Sequence, residues 1–355
     1  MNLIDLLSKA VAEHASDIFI VAGRPMCIKV QGRLLLEDDT TLMPVDTNTI
    51  VEEIYQLAGD RDMGRLVEYG DDDFAFAIKG LSRFRANIFK QRGSYAAIIR
   101  VIRFEIPDAS SLGVTNDILE LGNLKNGLVL VTGPAGSGKS TTLACIIDQI
   151  NQNKEKHIIT LEDPLEYLHR HKKSIVSQRE VYIDTESYVT ALKASLRQSP
   201  DVILLGEMRD LETIEVAMTA AETGHLIIST LHTIGAVSTI ERIIDVFPAN
   251  QQHQISLQLT QVLRAVVTQQ LVPTKAGTLA PAFEIMRVTP AIRTMIRDGK
   301  THQINGVLQT SGADNMISMD DSLLKLCKDG VIEKEVALNF AINPELLQKK
   351  LTQML

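Results

Sequence analysis

At 355 residues with a hydrophobic share of 45%, the chain is long enough for two domains that each close a core of their own. Its 36 basic residues stand against 44 acidic ones, a net charge of −8, which argues against a nucleic-acid coat or a broadly basic membrane-binding face. No apolar run approaches the roughly eighteen residues of a membrane span, and the N-terminus lacks a signal-peptide pattern. Cys27, Cys145 and Cys327 are too scattered for a disulfide framework or a C-x-x-C zinc site. A cytoplasmic protein with reduced thiols is expected.

Residues 2–15 carry Leu3, Leu6, Leu7, Ala10 and Val11 on one helical face. Strands are expected over 17–21 and 27–30 about a Gly23-Arg24-Pro25 turn, and over 34–36 after a Gln31-Gly32-Arg33 hairpin turn. A helix over 49–57 follows the start signals Pro44 and Asp46, and strands over 73–78, 82–90 and 95–101 follow with Gly80 and Gly93 at their turns. Residues 1–104 thus read as a small α+β domain with a mostly antiparallel sheet. Its last strands are rich in arginine: Arg83, Arg85, Arg92, Arg100 and Arg103. Alternation puts Arg83 and Arg85 on one strand face. Such a face is either simply solvated or turned toward phosphates bound by a neighbouring chain, as arginine fingers are.

Ile106-Pro107-Asp108-Ala109-Ser110-Ser111-Leu112-Gly113 is a run of turn formers, and residues 105–113 read as an interdomain linker. Over 114–355 strands alternate with helices, the α/β pattern of a parallel sheet covered on both faces. Its first strand, Leu128-Val129-Leu130-Val131, runs into Gly133-Pro134-Ala135-Gly136-Ser137-Gly138-Lys139-Ser140-Thr141, which fits the phosphate-loop pattern G-x-x-x-x-G-K-[ST]. A helix over 141–150 follows, with Leu143, Ile146, Ile147 and Ile150 at helical spacing. Glycines let backbone N–H groups close on phosphates, and the helix start favours negative charge. Lys139 is expected on the β- and γ-phosphates of a nucleoside triphosphate and Ser140 on Mg2+. A dinucleotide loop fits less well, because a G-x-G-x-x-G register from Gly136 meets Thr141 where a small residue is needed.

Three further strands deliver polar groups to their C-terminal ends, where ligands bind in open α/β sheets. His157-Ile158-Ile159-Thr160-Leu161 leads to Glu162 and Asp163, Val202-Ile203-Leu204-Leu205 to Gly206-Glu207, and Leu226-Ile227-Ile228-Ser229-Thr230 to Leu231-His232. Glu207 follows its strand as a Walker B carboxylate does, and would hold Mg2+ through water or orient the attacking water; Glu162 is then the better general base, although the two can share the work. His225 and His232 are candidate sensors of the γ-phosphate, or else ordinary hydrogen-bonded structural histidines.

These residues resemble the PilT-like retraction ATPases of type IV pili, within the secretion-ATPase superfamily. The resemblance rests on the phosphate loop, on Ile159-Thr160-Leu161-Glu162-Asp163-Pro164 running on to Gln178-Arg179-Glu180-Val181, on DVILLGEMRD at 201–210, and on Thr223-Gly224-His225 through Leu231-His232-Thr233. Ser16-Asp17-Ile18 and Arg83-Phe84-Arg85-Ala86-Asn87 extend it over the first domain. The resemblance implies a PAS-like N-terminal domain joined to a RecA-like ATPase domain, a homo-hexameric ring with nucleotide at subunit interfaces, and arginines such as Arg85 and Arg92 reaching across them. It also implies catalytic and magnesium roles for Glu162 and Glu207, roles at the nucleotide for His225 and His232 of the 223–233 block, ATP and Mg2+ as ligands, and a pilus platform protein as partner at the inner face of the membrane. ATP turnover would then power pilin disassembly, that is, twitching motility.

Extension ATPases resemble the chain too, but carry a long extra N-terminal region and usually a four-cysteine metal site, neither of which is in this sequence. Ala291-Ile292-Arg293-Thr294-Met295-Ile296-Arg297 resembles a retraction-associated motif, with Thr289 as N-cap and Pro290 at N1. Tyr182 stands where the resembled family usually has glycine. A type II secretion ATPase would use the same motifs, and a hexameric nucleic-acid translocase the same kind of core. The acidic balance and an aromatic content of 4% disfavour the translocase. The C-terminal part is expected to be mostly helical, with Ile255, Leu259, Val262, Leu263, Val266 and Val267 forming one core stripe, and with helix starts at Ser318 and at Asn343-Pro344.

Overall fold

The computed structural model describes residues 2–30, 32–102, 105–310 and 315–353; Gln31 of the expected hairpin turn and Arg103 of the arginine group lie outside them. The chain divides into two compact units, Met1–Glu105 with Glu166–Leu168, and Ile106–Leu165 with His169–Leu355.

The first unit is built on an antiparallel sheet of β1 (Asp17–Ile20), β2 (Cys27–Val30), β3 (Arg33–Leu36), β4 (Asp71–Ile78), β5 (Ser82–Gln91) and β6 (Ser94–Ile102), in the order β3-β2-β1-β6-β5-β4. Alternation buries Phe84, Ala86 and Ile88 of β5 and leaves Arg83 and Arg85 on the other face. β5 and β6 are joined through Arg92 and Gly93, both at positive φ (48° and 81°), the conformation a two-residue type I′ hairpin turn demands. The helix Pro44–Leu57 begins earlier than the expected 49–57. Pro44 occupies its first turn, and the Asp46 carboxylate accepts from the Met43 N–H at 2.7 Å, so the start signals sit inside the helix they start. A short helix, Gly64–Tyr69, had no periodic signal in the sequence.

The second unit holds a seven-stranded sheet of β7 (Gly127–Thr132), β8 (His157–Glu162), β9 (Ile175–Glu180), β10 (Val202–Leu205), β11 (Leu226–Leu231), β12 (Leu263–Pro273) and β13 (Leu279–Arg287), ordered β13-β12-β7-β11-β10-β8-β9. Only the β12–β13 pair is antiparallel. Alternate residues of the same strands enter opposite cores. Leu128, Leu130, Ile203 and Leu205 pack with the helices Leu211–Glu222, Ala236–Asp245 and Ala249–Val262, while Val129, Val131, Val202 and Leu204 pack with the helix Lys139–Asn153. A sheet covered on both sides needs such continuous apolar strands.

The expected stripe from Ile255 to Val267 is corrected. The helix ends at Val262, and Leu263 opens β12, which pairs in parallel with β7 from Leu263↔Leu128 to Thr268↔Thr132. A fully buried run satisfies helical spacing as easily as it fills a strand, and here the β-branched residues Val266, Val267, Thr268 and Val272 go to the sheet. Residues 106–113, expected as a linker, fold onto the second unit: the Val114 N–H bonds the Ala109 carbonyl at 2.9 Å, and Ala109 and Leu112 pack on its core. Helices Pro290–Arg297, Met319–Lys328 and Pro344–Thr352 start where expected, with the side chains of Thr289, Ser318 and Asn343 accepting the cap hydrogen bonds. Tyr182 takes φ 67° and is 75% exposed, a left-handed conformation that glycine would adopt without strain.

Candidate nucleotide site

The phosphate loop leaves β7 at Gly133, whose φ of 140° and close approach to β12 leave room for no side chain. A Cβ there would stand 2.1 Å from the Gln269 carbonyl oxygen. Gly136 and Gly138 are also at positive φ (75° and 89°). Gln269 supports the loop from β12: its Oε1 accepts from Thr142 Oγ1 at 2.7 Å, and its amide nitrogen would lie 2.9 Å from a Cβ on Gly138. The strand that local periodicity assigns to a helix is therefore the buttress of the loop, and Gln269 had no signal in the sequence.

The helix begins at Lys139 rather than at the expected residue 141, so Lys139, Ser140 and Thr141 form its first turn. Lys139 is buried, and its ammonium donates to the carbonyls of Gly133 (2.9 Å) and Pro134 (2.8 Å). It is thus folded back over the loop. Ser137 is buried with a hydroxyl that has no hydrogen-bond partner among the described residues. A buried hydroxyl of this kind fits a cradle whose polar groups serve a ligand. Pro134 and Ala135 are exposed at its tip, while Ser140 and Thr141 are half-buried.

Parallel register brings the other strand ends level. Leu205 lies beside Leu161 on one side and Ser229 on the other. Beyond them the Gly206 N–H bonds the Leu161 carbonyl (2.8 Å), Thr230 Oγ1 donates to the Gly206 carbonyl (2.6 Å), and the Met208 N–H bonds the Thr230 carbonyl (3.2 Å). Glu207, held there with its side chain 14% exposed, accepts from Arg209 Nε at 2.6 Å and lies 3.5 Å from His232 Nε2. Glu162 ends β8 on the neighbouring strand, with one carboxylate oxygen fully withdrawn from solvent. Tyr188 fills the space where Gly206 would carry a Cβ, its hydroxyl 2.8 Å from that position. Burial pushes the phenol up beyond its usual range, and the charges of Glu207, Asp163 and Glu162 add to this. Arg209 and Tyr188 were not among the expected site residues. Arg209 was legible two residues after Glu207, but its ion pair was not.

Lys139, Ser140, Glu162, Glu207 and His232 thus lie at one sheet edge, and His225 does not. His225 precedes β11 at its opposite end, about 20 Å from His232 at the rise of a strand. Its Nδ1 lies 3.0 Å from the Ala220 carbonyl and 3.3 Å from Thr223 Oγ1, where it closes the end of the helix Leu211–Glu222. Its surroundings are those of a hydrogen-bonded structural histidine. Of the arginines, Arg85 grips Asp73 through two nitrogens (Nε–Oδ1 2.9 Å, Nη2–Oδ2 2.8 Å), Arg100 pairs with Asp17 at 3.3 Å, and Arg92 stands exposed on its hairpin tip.

A mainly parallel sheet with a phosphate loop after β7 and carboxylates at the ends of β10 and β8, beyond the intervening β11, defines an α/β phosphate-loop ATPase core, here with a separate antiparallel N-terminal unit. A model described as type II/IV secretion system protein matches residues 2–305, and the chain belongs to that family. It is 41% identical over 345 residues to the type IV pilus retraction ATPase PilT of Pseudomonas aeruginosa, covering 97% of this chain and 99% of the relative. It is 40% identical over 342 residues to the type IV pilus ATPase PilU of the same organism, covering 96% and 89%. A crystal structure of the pilus retraction motor PilT with bound ADP superposes with a TM-score of 0.90 at 44% identity over 98% of this chain and 99% of the other. Among the described residues no helix is long and apolar enough to cross a membrane.

Proposed function

We propose that the chain is a motor ATPase that hydrolyses ATP, as a hexameric ring at the cytoplasmic base of a type IV pilus, to drive pilus retraction. The observation that supports this most is the convergence of Lys139, Glu162 and the Glu207–His232 pair at the end of one parallel sheet. The retraction ATPase PilT of Pseudomonas aeruginosa matches over nearly the whole of both chains, and ADP in the related crystal structure supports a nucleotide as ligand. Lys139 would turn from its two carbonyls to the phosphates. Ser140, with Glu207 or Glu162, would hold Mg2+, which supplies neutralisation of phosphate charge. Among the described residues no cluster of histidine, cysteine and carboxylates forms an all-protein metal cage, in keeping with a cation carried largely by the nucleotide and water. Association with the membrane would come through a platform protein.

Lys139→Ala removes a charge-assisted contact and is expected to weaken ATP binding about 10- to 100-fold. As the sole copy in the cell, it should leave bacteria piliated but unable to twitch. Loss of surface pili instead would identify an extension motor, and normal twitching would overturn the reading.

The arginines would complete the site in trans. Arg92 on its hairpin tip is the sterically freer candidate, whereas Arg85 would first have to leave Asp73. If either acts as a finger, its alanine variant loses about 10³-fold or more in turnover and keeps nucleotide affinity. Mixed rings with Lys139→Ala subunits should then regain activity. Unrestored turnover in such rings rules out the trans role.

A further inference from the structure

We propose that the cavity beside Glu207 and His232 is a second anion site, which takes inorganic phosphate. The cavity, of about 370 Å³, opens between the ends of β10 and β11 and the helix Ala236–Asp245. Because β11 lies between β7 and β10, the cavity is one strand removed from the phosphate loop. Ile214, Leu231 and Val246 contribute apolar lining, and the charged or titratable groups around it are Glu207, Arg209, His232 and Arg242. The one acidic group is already matched by Arg209 at 2.6 Å. Arg242 lines the cavity with no carboxylate partner among the described residues. The balance is therefore positive, with Arg242 exposed where the cavity opens to solvent. A guanidinium in that setting suits the fork of donors that phosphate oxygens accept.

The position gives the site a use. Phosphate cut from a nucleotide on the loop side would pass Glu207 and His232 to reach Arg242, so the cavity would hold the leaving product before release. That use rests on the proposed hydrolysis of ATP; the binding itself does not. It also explains why strand ends arranged for one nucleotide are followed by an unmatched arginine on the next helix.

The test is equilibrium dialysis of radiolabelled inorganic phosphate against the full chain with saturating ADP, which needs no turnover. Phosphate should bind wild-type protein under these conditions. Arg242→Gln should weaken it about tenfold, the loss of one charge-assisted contact, and Arg242→Lys should recover most of the difference. Thermal unfolding serves as the control that each variant is folded. Equal affinity in wild type and Arg242→Gln overturns the proposal. So does binding that ADP abolishes, because the ion would then sit in the phosphate loop. A chain that binds phosphate through Arg242 yet never hydrolyses ATP would uphold this site while removing the hydrolytic function.

Discussion

Glu207→Gln is expected to lower ATP turnover by about 10²- to 10⁴-fold while changing ATP affinity only by a few-fold. The amide keeps the shape of the side chain and can still accept from Arg209, which now sits at 2.6 Å. It cannot take a proton, and it no longer balances the guanidinium or attracts a protonated His232, 3.5 Å away. Binding should survive because the phosphate loop, a strand away, is held by Gln269 and Thr142 and not by Glu207. Steady-state turnover and equilibrium binding of ATP on the same preparation separate the two effects. Undiminished turnover would remove Glu207 from the chemistry, and Glu162 would then carry the role alone.

Gly133→Ala should be the most damaging change in the phosphate loop, and the other loop glycines should fall in a set order behind it. At Gly133 a Cβ would lie 2.1 Å from the Gln269 carbonyl oxygen, at a φ of 140°. That oxygen belongs to the backbone of β12, so relief requires moving a strand paired on both sides. At Gly138 the nearest atom, at 2.9 Å, is the Gln269 side-chain amide, which can swing away at the expense of its bond to Thr142. Gly136 has nothing within 4 Å and would suffer only the strain of its φ of 75°. Backbone strain of about 1–3 kcal/mol, with overpacking of similar size, suggests about 3 kcal/mol or more for Gly133→Ala. In a unit of this size that lowers the unfolding midpoint by about 6–12 °C. Thermal melts of the three alanine variants test the ranking; a Gly136 variant as unstable as the Gly133 variant would refute the steric account.

Legibility differed between the elements for identifiable reasons. The strands at 128–131, 157–161, 202–205 and 226–230 were readable because a parallel strand covered on both faces must be a short continuous apolar run. The phosphate loop was readable because its glycines and lysine answer to local backbone geometry and to one ligand. β12 was not, since its buried residues meet helical and strand spacing alike and only pairing with β7 decides between them. With β12 misassigned, Gln269 could not be seen as a site residue. The packing of residues 106–113 on the second unit was not legible, because turn-forming residues report that the chain bends, and not whether the bent segment packs.

By itself, then, the sequence determined the chemistry that local geometry dictates: the loop that cradles phosphates, the carboxylates and the histidine that end apolar strands, and the motif order that places the chain among secretion ATPases. The tertiary structure decided which of these groups meet. Strand order and register put Glu162, Glu207 and His232 at one edge and sent His225 to the other, though both histidines flank the same strand. Support of the loop by Gln269 likewise depends on where strands distant in sequence come to lie side by side. Periodicity says which face of a strand is buried. Which strand becomes its neighbour is settled by packing across the whole unit.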